Sequence, residues 1–272
     1  MDREKYEIIS KREENRKMIR VGVIGGLGRM GVETIKAVSK ESDMTVGAVI
    51  DVFKCGEEVT IGDKSYKVIE SMEAAKESVD VYVDFTGPAA VKKNAYKAME
   101  LGKGIIIGAT GVLENDIKEL REAAEKSDSK IMIIPNFAIG AVLMMEFAKK
   151  AAYYFNEAEI IEYHHPGKLD APSGTAIKTA ELIKGVKAAR PEMKGEELLK
   201  GARGASISDI NIHSVRLNGY VASQEVIFGG LGQILTIRHD SINRESFMPG
   251  VVLSVRKIKD VRGLMYGLEN IL

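Results

Sequence analysis

The run Ile19-Arg20-Val21-Gly22-Val23-Ile24, followed at once by Gly25-Gly26-Leu27-Gly28-Arg29-Met30-Gly31, constrains this chain more than any other stretch. Its β-branched residues form a short apolar run without polar alternation, the pattern of a strand buried on both faces of a parallel sheet. The glycines at Gly26-x-Gly28-x-x-Gly31 then let backbone amides approach an anion at the start of a helix, predicted to run to about Val38. A second strand, Thr45 to Ile50, ends in Asp51, about twenty residues past Gly31, where an acid can accept hydrogen bonds from an adenosine ribose. A glycine-rich turn alone is more often structural than functional. Strand, turn, helix, strand and acid in this order read as a dinucleotide site.

Further strands are predicted at Val79 to Phe85, Gly104 to Ile107 and Lys130 to Ile134, separated by helical stretches from Ala89 to Leu101 and Leu113 to Lys126. This alternation specifies an α/β, Rossmann-like doubly wound parallel sheet, in which ligands bind beyond the carboxyl ends of the strands. Three loops lie there: Phe85-Thr86-Gly87-Pro88, Gly108-Ala109-Thr110-Gly111 and Pro135-Asn136-Phe137-Ala138. A long helix from Ala141 to Phe155 follows, with Met144 and Met145 as core fillers. Residues Gly185 to Gly204 are rich in Lys, Arg, Glu and Gly and read as a solvated excursion. Strands at Ile210 to Leu217, Gln224 to Phe228 and Gln233 to His239 come without intervening helices, the pattern of an α+β domain with an open mixed sheet. The expected division is 1–17 as a charged extension, 18–138 as a dinucleotide-binding domain, and 139–245 as a substrate and oligomerisation domain. Segment 246–272, with a helix from Phe247 to Arg256, is expected to pack back on the first domain.

Lysine plus arginine and aspartate plus glutamate number 39 each, so no global field draws the chain to nucleic acid or an anionic membrane. No long uncharged apolar run is present to span a bilayer, and the single cysteine, Cys55, has no partner for an internal disulfide. A cytoplasmic protein is expected, with neither nucleic acid nor membrane as partner. The first seventeen residues carry charges of both signs around Tyr6, Ile8 and Ile9 with no apolar core behind them, which is not a secretory signal. Met18 is a second candidate start.

The densest chemistry lies in Glu162-Tyr163-His164-His165-Pro166-Gly167-Lys168-Leu169-Asp170-Ala171-Pro172-Ser173-Gly174-Thr175-Ala176, entered from an apolar strand, Ala158 to Ile161. Ser173 is a good N-cap for a helix from Thr175 to Ile183, which leaves the amides near Gly174 and Thr175 free to hold an anion. Lys168 adds a mobile cation, and His164 or His165 a group that titrates near neutral pH. The ligand implied is a small acid that gains or loses a proton. Neighbouring histidines on extended chain point to opposite sides, which gives His164 and His165 distinct roles and argues against a metal site. Arg238, His239, Arg244 and His213 are either substrate or interface groups or ordinary sheet-surface residues.

His164-His165-x-x-Lys168-x-Asp170-Ala171-Pro172-Ser173-Gly174-Thr175-Ala176 resembles the signature of the dihydrodipicolinate reductase family, and the resemblance extends from about Ile19 to the C-terminus. Gly25-x-x-Gly28-x-x-Gly31 is the form of glycine turn typical of that family. The resemblance implies NAD(P)H-dependent reduction of a cyclic imine dicarboxylate, 4-hydroxy-tetrahydrodipicolinate, to tetrahydrodipicolinate in the diaminopimelate route to lysine. It implies His164 and Lys168 as catalytic groups and His165, Gly174 and Thr175 as carboxylate-binding groups. Gly25, Gly26, Leu27, Gly28, Arg29, Met30, Asp51, Thr86, Gly108, Ala109, Thr110, Ile134, Pro135, Asn136 and Phe137 are the implied cofactor contacts, and the implied assembly is a homotetramer. Two departures stand out: Ala109 replaces a frequent threonine, and no histidine occurs near Ala222-Ser223-Gln224. Asp51 without a following arginine favours NADH over NADPH, with Lys54 a partial substitute. The rival readings are another two-domain amino-acid dehydrogenase, of diamino acid or homoserine type, and a non-catalytic nucleotide sensor.

Overall fold

A computed structural model describes residues 18–109, 111–186, 196–207 and 209–272. The charged extension 1–17, Thr110 and the middle of the 185–204 excursion lie outside the described residues. Two compact units emerge, one running to Phe137 and resuming at Gly250–Leu272, the other Ala138–Pro249.

In chain order the first unit has β1 (Ile19–Ile24), α1 (Arg29–Lys40), β2 (Met44–Ile50), β3 (Glu58–Ile61), β4 (Lys64–Ile69), α2 (Met72–Ala75), β5 (Val81–Asp84), α3 (Pro88–Glu100), β6 (Gly104–Ile107), α4 (Glu114–Glu125) and β7 (Lys130–Ile133). The second has α5 (Ile139–Ala151), β8 (Glu157–His164), α6 (Gly174–Lys184), β9 (Ala205–Ile207), β10 (Ile210–Arg216), β11 (Ala222–Gly230) and β12 (Gln233–Ser241). Helix α7 (Met248–Lys257) leads back to the first unit, which β13 (Gly263–Tyr266) completes.

The first sheet has the order β13-β7-β6-β5-β1-β2-β4-β3 and is parallel except for the β3–β4 hairpin. Strand order reverses between β1 and β5, so the turns after these two strands flank the crevice where such sheets bind ligands. Helices on both faces explain why β5 is buried at all four positions and why Tyr82, Ile105, Ile107, Leu120, Ile131 and Ile133 share one core. Segment 250–272 belongs to this core. Gly250 lies so close to the Phe137 carbonyl that a Cβ would collide with it. The Arg256 guanidinium grips Asp43 at 2.8 and 2.9 Å, just ahead of β2.

Several elements differ from the sequence reading. The β3–β4 hairpin was not anticipated, because its charged alternation hides the strands; its Gly62-Asp63 turn, with Gly62 at φ 63, is the local signal. Helix α5 stops at Ala151 rather than Phe155, and the Phe155 ring turns back onto Phe228 at 5.8 Å. Strand β8 continues through Glu162 to His164, which places His164 on a strand end instead of in a loop. β9, only three residues long, and β13 also have no counterpart in the sequence reading.

The second sheet has the order β12-β11-β8-β10-β9 with one parallel pair, β8–β10. Helices α5 and α6 cover one face, over a core of Ile160, Ala176, Ala180, Ile183, Ile212, Val226 and Phe228. The other face carries a polar network. The Tyr163 hydroxyl donates to Glu225 at 2.6 Å, Arg238 lies 5.0 Å from the Tyr163 ring centroid, and Tyr220 stacks on that ring at 4.9 Å. Among the described residues no helix is long and apolar enough to cross a membrane.

Candidate active site

In the first unit the glycine turn is held by backbone geometry and by one carboxylate. Gly25 sits at φ 72, a conformation open to glycine at little cost, and Gly31 packs so tightly under the turn that a Cβ would strike Gly25 and Gly26. Helix α1 begins with Gly28 as N-cap, with no capping side chain and no acid in the first turn. Its first amides therefore face outward with the positive end of the helix dipole, which suits an anion. Asp51 is buried, and its two oxygens accept from the Leu27 amide at 2.9 Å and the Phe53 amide at 3.0 Å. A carboxylate has about four acceptor positions, so roughly two remain for ribose hydroxyls. Val52 and Phe53 are exposed, and Lys54 holds a φ of 55 in the same loop.

The neighbouring loops meet this turn. Fully buried Asp84 accepts from the Thr86 amide at 2.7 Å, the Thr86 hydroxyl at 2.6 Å and Asn94 at 2.8 Å, fixing the Thr86 loop at the end of β5. A Cβ on Gly25 would lie 3.4 Å from Thr86 Cγ2, so the two turns are in contact. Gly108 is constrained by packing: its Cβ would press into the Phe85 and Phe137 rings, whose centroids are 5.7 Å apart. The side chains of Ala109, Ile134 and Phe137 are buried, which leaves backbone atoms to reach a ligand from those positions. Pro135 is exposed and Asn136 partly so, while Thr110 lies outside the described residues.

In the second unit the chemistry converges on the end of β8. Glu162 is fully buried and lies two residues before His164 on the same strand face. Its Oε2 is 2.5 Å from His164 Nδ1. Arg216, which pairs in register with His164 across the parallel β8–β10 ladder, donates from Nη1 to Glu162 Oε2 and from Nη2 to Oε1, both at 2.9 Å. The same Nη2 donates to the Asp170 carbonyl at 2.7 Å, and the Asp170 carboxylate binds Lys168 Nζ at 2.7 Å. His164 and Lys168 thus belong to one network, with Asp170 ordering the loop between them. Burial alone would raise the Glu162 carboxyl, but hydrogen bonds from His164 and Arg216 outweigh it and hold it down at about 2.

The N-cap expectation is met, since Ser173 accepts from the Ala176 amide at 3.2 Å. Helix α6 begins one residue early, at Gly174, where an added Cβ would meet nothing within 4 Å. The Thr179 hydroxyl donates to the Thr175 carbonyl at 2.7 Å and accepts from Gln224 at 2.8 Å, so Gln224, in the stretch that holds no histidine, is tied to helix α6. His165 is exposed.

His213 binds Glu159 at 2.6 Å, and Glu159, three residues from Glu162 along β8, faces the opposite side of the sheet. Arg238 pairs with Asp240 at 2.9 Å. His239 packs on Gly140, where an ideal Cβ would lie 2.5 Å from its Cδ2. Arg244 is exposed in the 3-10 turn Arg244–Phe247. The sequence reading gives no role to Glu162 or Arg216, which the structure joins to His164. The signal for Glu162 was its two-residue spacing from His164; Arg216, 54 residues from Glu162, becomes its partner only through the β8–β10 pairing.

An uncapped, acid-free helix start behind a glycine turn, in a unit separate from a carboxylate-backed histidine, defines the class: a two-unit, nucleotide-dependent oxidoreductase. Residues 19–137 match the family profile described as Dihydrodipicolinate reductase, N-terminus, and residues 140–272 match Dihydrodipicolinate reductase, C-terminus. The chain belongs to the dihydrodipicolinate reductase family. The 4-hydroxy-tetrahydrodipicolinate reductase of Syntrophomonas wolfei is 49% identical over 261 residues, 93% of this chain and 98% of its own length. That of Halalkalibacterium halodurans is 47% identical over 263 residues, 94% of this chain and 100% of its own. The dipicolinate-bound dihydrodipicolinate reductase of Paenisporosarcina sp. TG-14 superposes with a TM-score of 0.83 at 42% identity, over 94% of this chain and 100% of its own.

Proposed function

We propose that this protein reduces 4-hydroxy-tetrahydrodipicolinate to tetrahydrodipicolinate, with loss of water, at the expense of NAD(P)H, in the diaminopimelate route of lysine biosynthesis. The observation that carries the reading is the loop from His164 to Thr175, in which one network joins a carboxylate-backed histidine to a lysine, six residues ahead of an open helix start at Gly174. Relatives named for this substrate, 45–49% identical over nearly the whole chain, support it.

The nucleotide cradle fits the cofactor: the α1 amides behind Gly28 suit a pyrophosphate, and Asp51 keeps acceptor positions for a ribose. Gly25, Gly26, Leu27, Gly28, Arg29, Met30 and Asp51 hold the adenosine and pyrophosphate half. Thr86, Gly108, Ala109, Thr110, Ile134, Pro135, Asn136 and Phe137 line the nicotinamide half. When bound, the reduced nicotinamide supplies hydride. His165 and the amides of Gly174 and Thr175 bind the substrate carboxylates. His164 moves the proton at the reacting end, and Lys168 neutralises charge there or supplies a second proton. NADH is preferred, because the Asp51 charge repels a 2′-phosphate and the residues that follow it, Val52 and Phe53, bring no guanidinium.

The open polar face of the second sheet supports a homotetramer, and a cytoplasmic location follows from the metabolic role. A substrate panel tests the activity. Oxidation of NADH with the cyclic imine supports it, whereas turnover with a diamino acid or homoserine, or with none of them, replaces it by one of the rival readings.

A further inference from the structure

An ionised carboxylate only accepts hydrogen bonds. Glu162 has both oxygens taken by the Arg216 fork, and the oxygen that receives Nη1 also contacts His164 Nδ1. A bidentate guanidinium at 2.9 Å on each arm is the arrangement that best holds a buried carboxylate in its charged form. With Glu162 unable to donate, the proton in the His164–Glu162 contact belongs to Nδ1. His164 Nε2 has no protein partner among the described residues, and the imidazole is largely buried, with 13% of its side chain exposed.

We propose that Glu162 and Arg216 are positioning residues for proton transfer: Arg216 fixes Glu162 as an acceptor, Glu162 holds His164 in the Nδ1–H form, and Nε2 is thereby the nitrogen that exchanges a proton with substrate. The inference rests on the reading of His164 as the proton-transfer group. It adds a second duty for Arg216, whose Nη2 also fastens the Asp170 carbonyl and with it the loop carrying Lys168. One guanidinium therefore aligns both of the groups that face the substrate chemistry.

The test reads the histidine directly. In the full-length protein labelled with 15N, ring-nitrogen shifts taken at alkaline pH, where imidazoles are neutral, report the tautomer, and Glu162→Gln and Arg216→Lys are compared with wild type. His164 is assigned by the loss of its signals in His164→Gln. Wild type is expected to show Nδ1–H alone. In Glu162→Gln, either orientation of the amide sets an N–H against one arm of the Arg216 fork, so the tautomer is no longer dictated and both forms appear. kcat should fall by roughly 10- to 100-fold while KM changes little. Glu162→Asp keeps the charge and should restore part of kcat and the single tautomer. Arg216→Lys keeps a cation without the fork, and should lower kcat in the same direction. A merely structural role would lower the melting temperature of these variants without mixing the tautomers. An Nε2–H form in wild type, or a folded Glu162→Gln that keeps pure Nδ1–H and full kcat, overturns the proposal. Nδ1–H in wild type with no turnover of the cyclic imine would instead overturn the functional reading and leave the tautomer assignment standing.

Discussion

The Asp51 carboxylate accepts a hydrogen bond from the Leu27 amide at 2.9 Å, which ties the end of β2 to the glycine turn across 24 residues. Asp51 therefore shapes the glycine turn, and on the proposed reading it also faces the ribose. We expect a higher kcat/KM with NADH than with NADPH, by a margin on the order of several-fold, because a half-exposed ribose site, with Asp51 buried beside the exposed Val52 and Phe53, is screened by salt. Asp51→Asn should narrow that margin, and should also weaken both cofactors by loosening the turn. Measuring both cofactors in one buffer at fixed ionic strength decides the matter; a clear preference for NADPH would assign the pocket to Lys54 or another cation.

Two glycines should separate packing from ligand contact. A Cβ at Gly108 would come within 2.8 Å of Phe137 Cε2 and closer still to the Phe85 ring, so Gly108→Ala should destabilise the protein by about 1–3 kcal/mol. Gly174 has open space on its side-chain side, so Gly174→Ala should leave the melting temperature unchanged, while its added methyl group should crowd a carboxylate held at this helix start and raise the substrate KM several-fold. Thermal melts and steady-state kinetics on both variants read these outcomes.

Acid stability should report the Glu162 network. The folded-state value is lowered, from 4.5 to about 2, so Glu162 contributes stability that is fully present above pH 4.5 and lost as the pH falls towards 2. Replacing it with glutamine should cost stability at neutral pH and flatten the fall between pH 4.5 and 2. A denaturation series in which wild type and Glu162→Gln lose stability in parallel over that window would remove the network's role.

The parts of the fold visible in the sequence were those written in local period. The apolar run of β1, the glycines behind it and Asp51 after β2 are separated by distances that one βαβ unit dictates. Thr60, Lys64 and Lys67 broke the apolar pattern of the β3–β4 hairpin, and only its Gly62-Asp63 turn betrayed it. The site divided the same way. His164, Lys168 and the Ser173 cap stand within one stretch and were legible. The carboxylate behind His164 stands in the same stretch, two residues away, whereas Arg216 reaches Glu162 through a parallel pairing that no local pattern encodes. Gly108 was legible as a loop glycine, yet its ring contacts depend on Phe85 and Phe137 arriving from two other strands.

Assembly offers a further check. The open sheet face bearing Tyr163, Glu225 and Arg238 should be covered by other copies of the chain, giving a tetramer with dihedral symmetry. Light scattering at micromolar concentration should report four chains. A monomer would leave that network as an ordinary solvated surface.

The measurement closest to the central claim is the rate of NADH oxidation on addition of freshly formed 4-hydroxy-tetrahydrodipicolinate, with wild type, His164→Gln and Lys168→Ala run side by side. Wild type should turn over, each variant should lose roughly 10²-fold or more in kcat, and NADH affinity should hardly move. No turnover by the folded wild-type protein, or variants that match its rate, would contradict that claim.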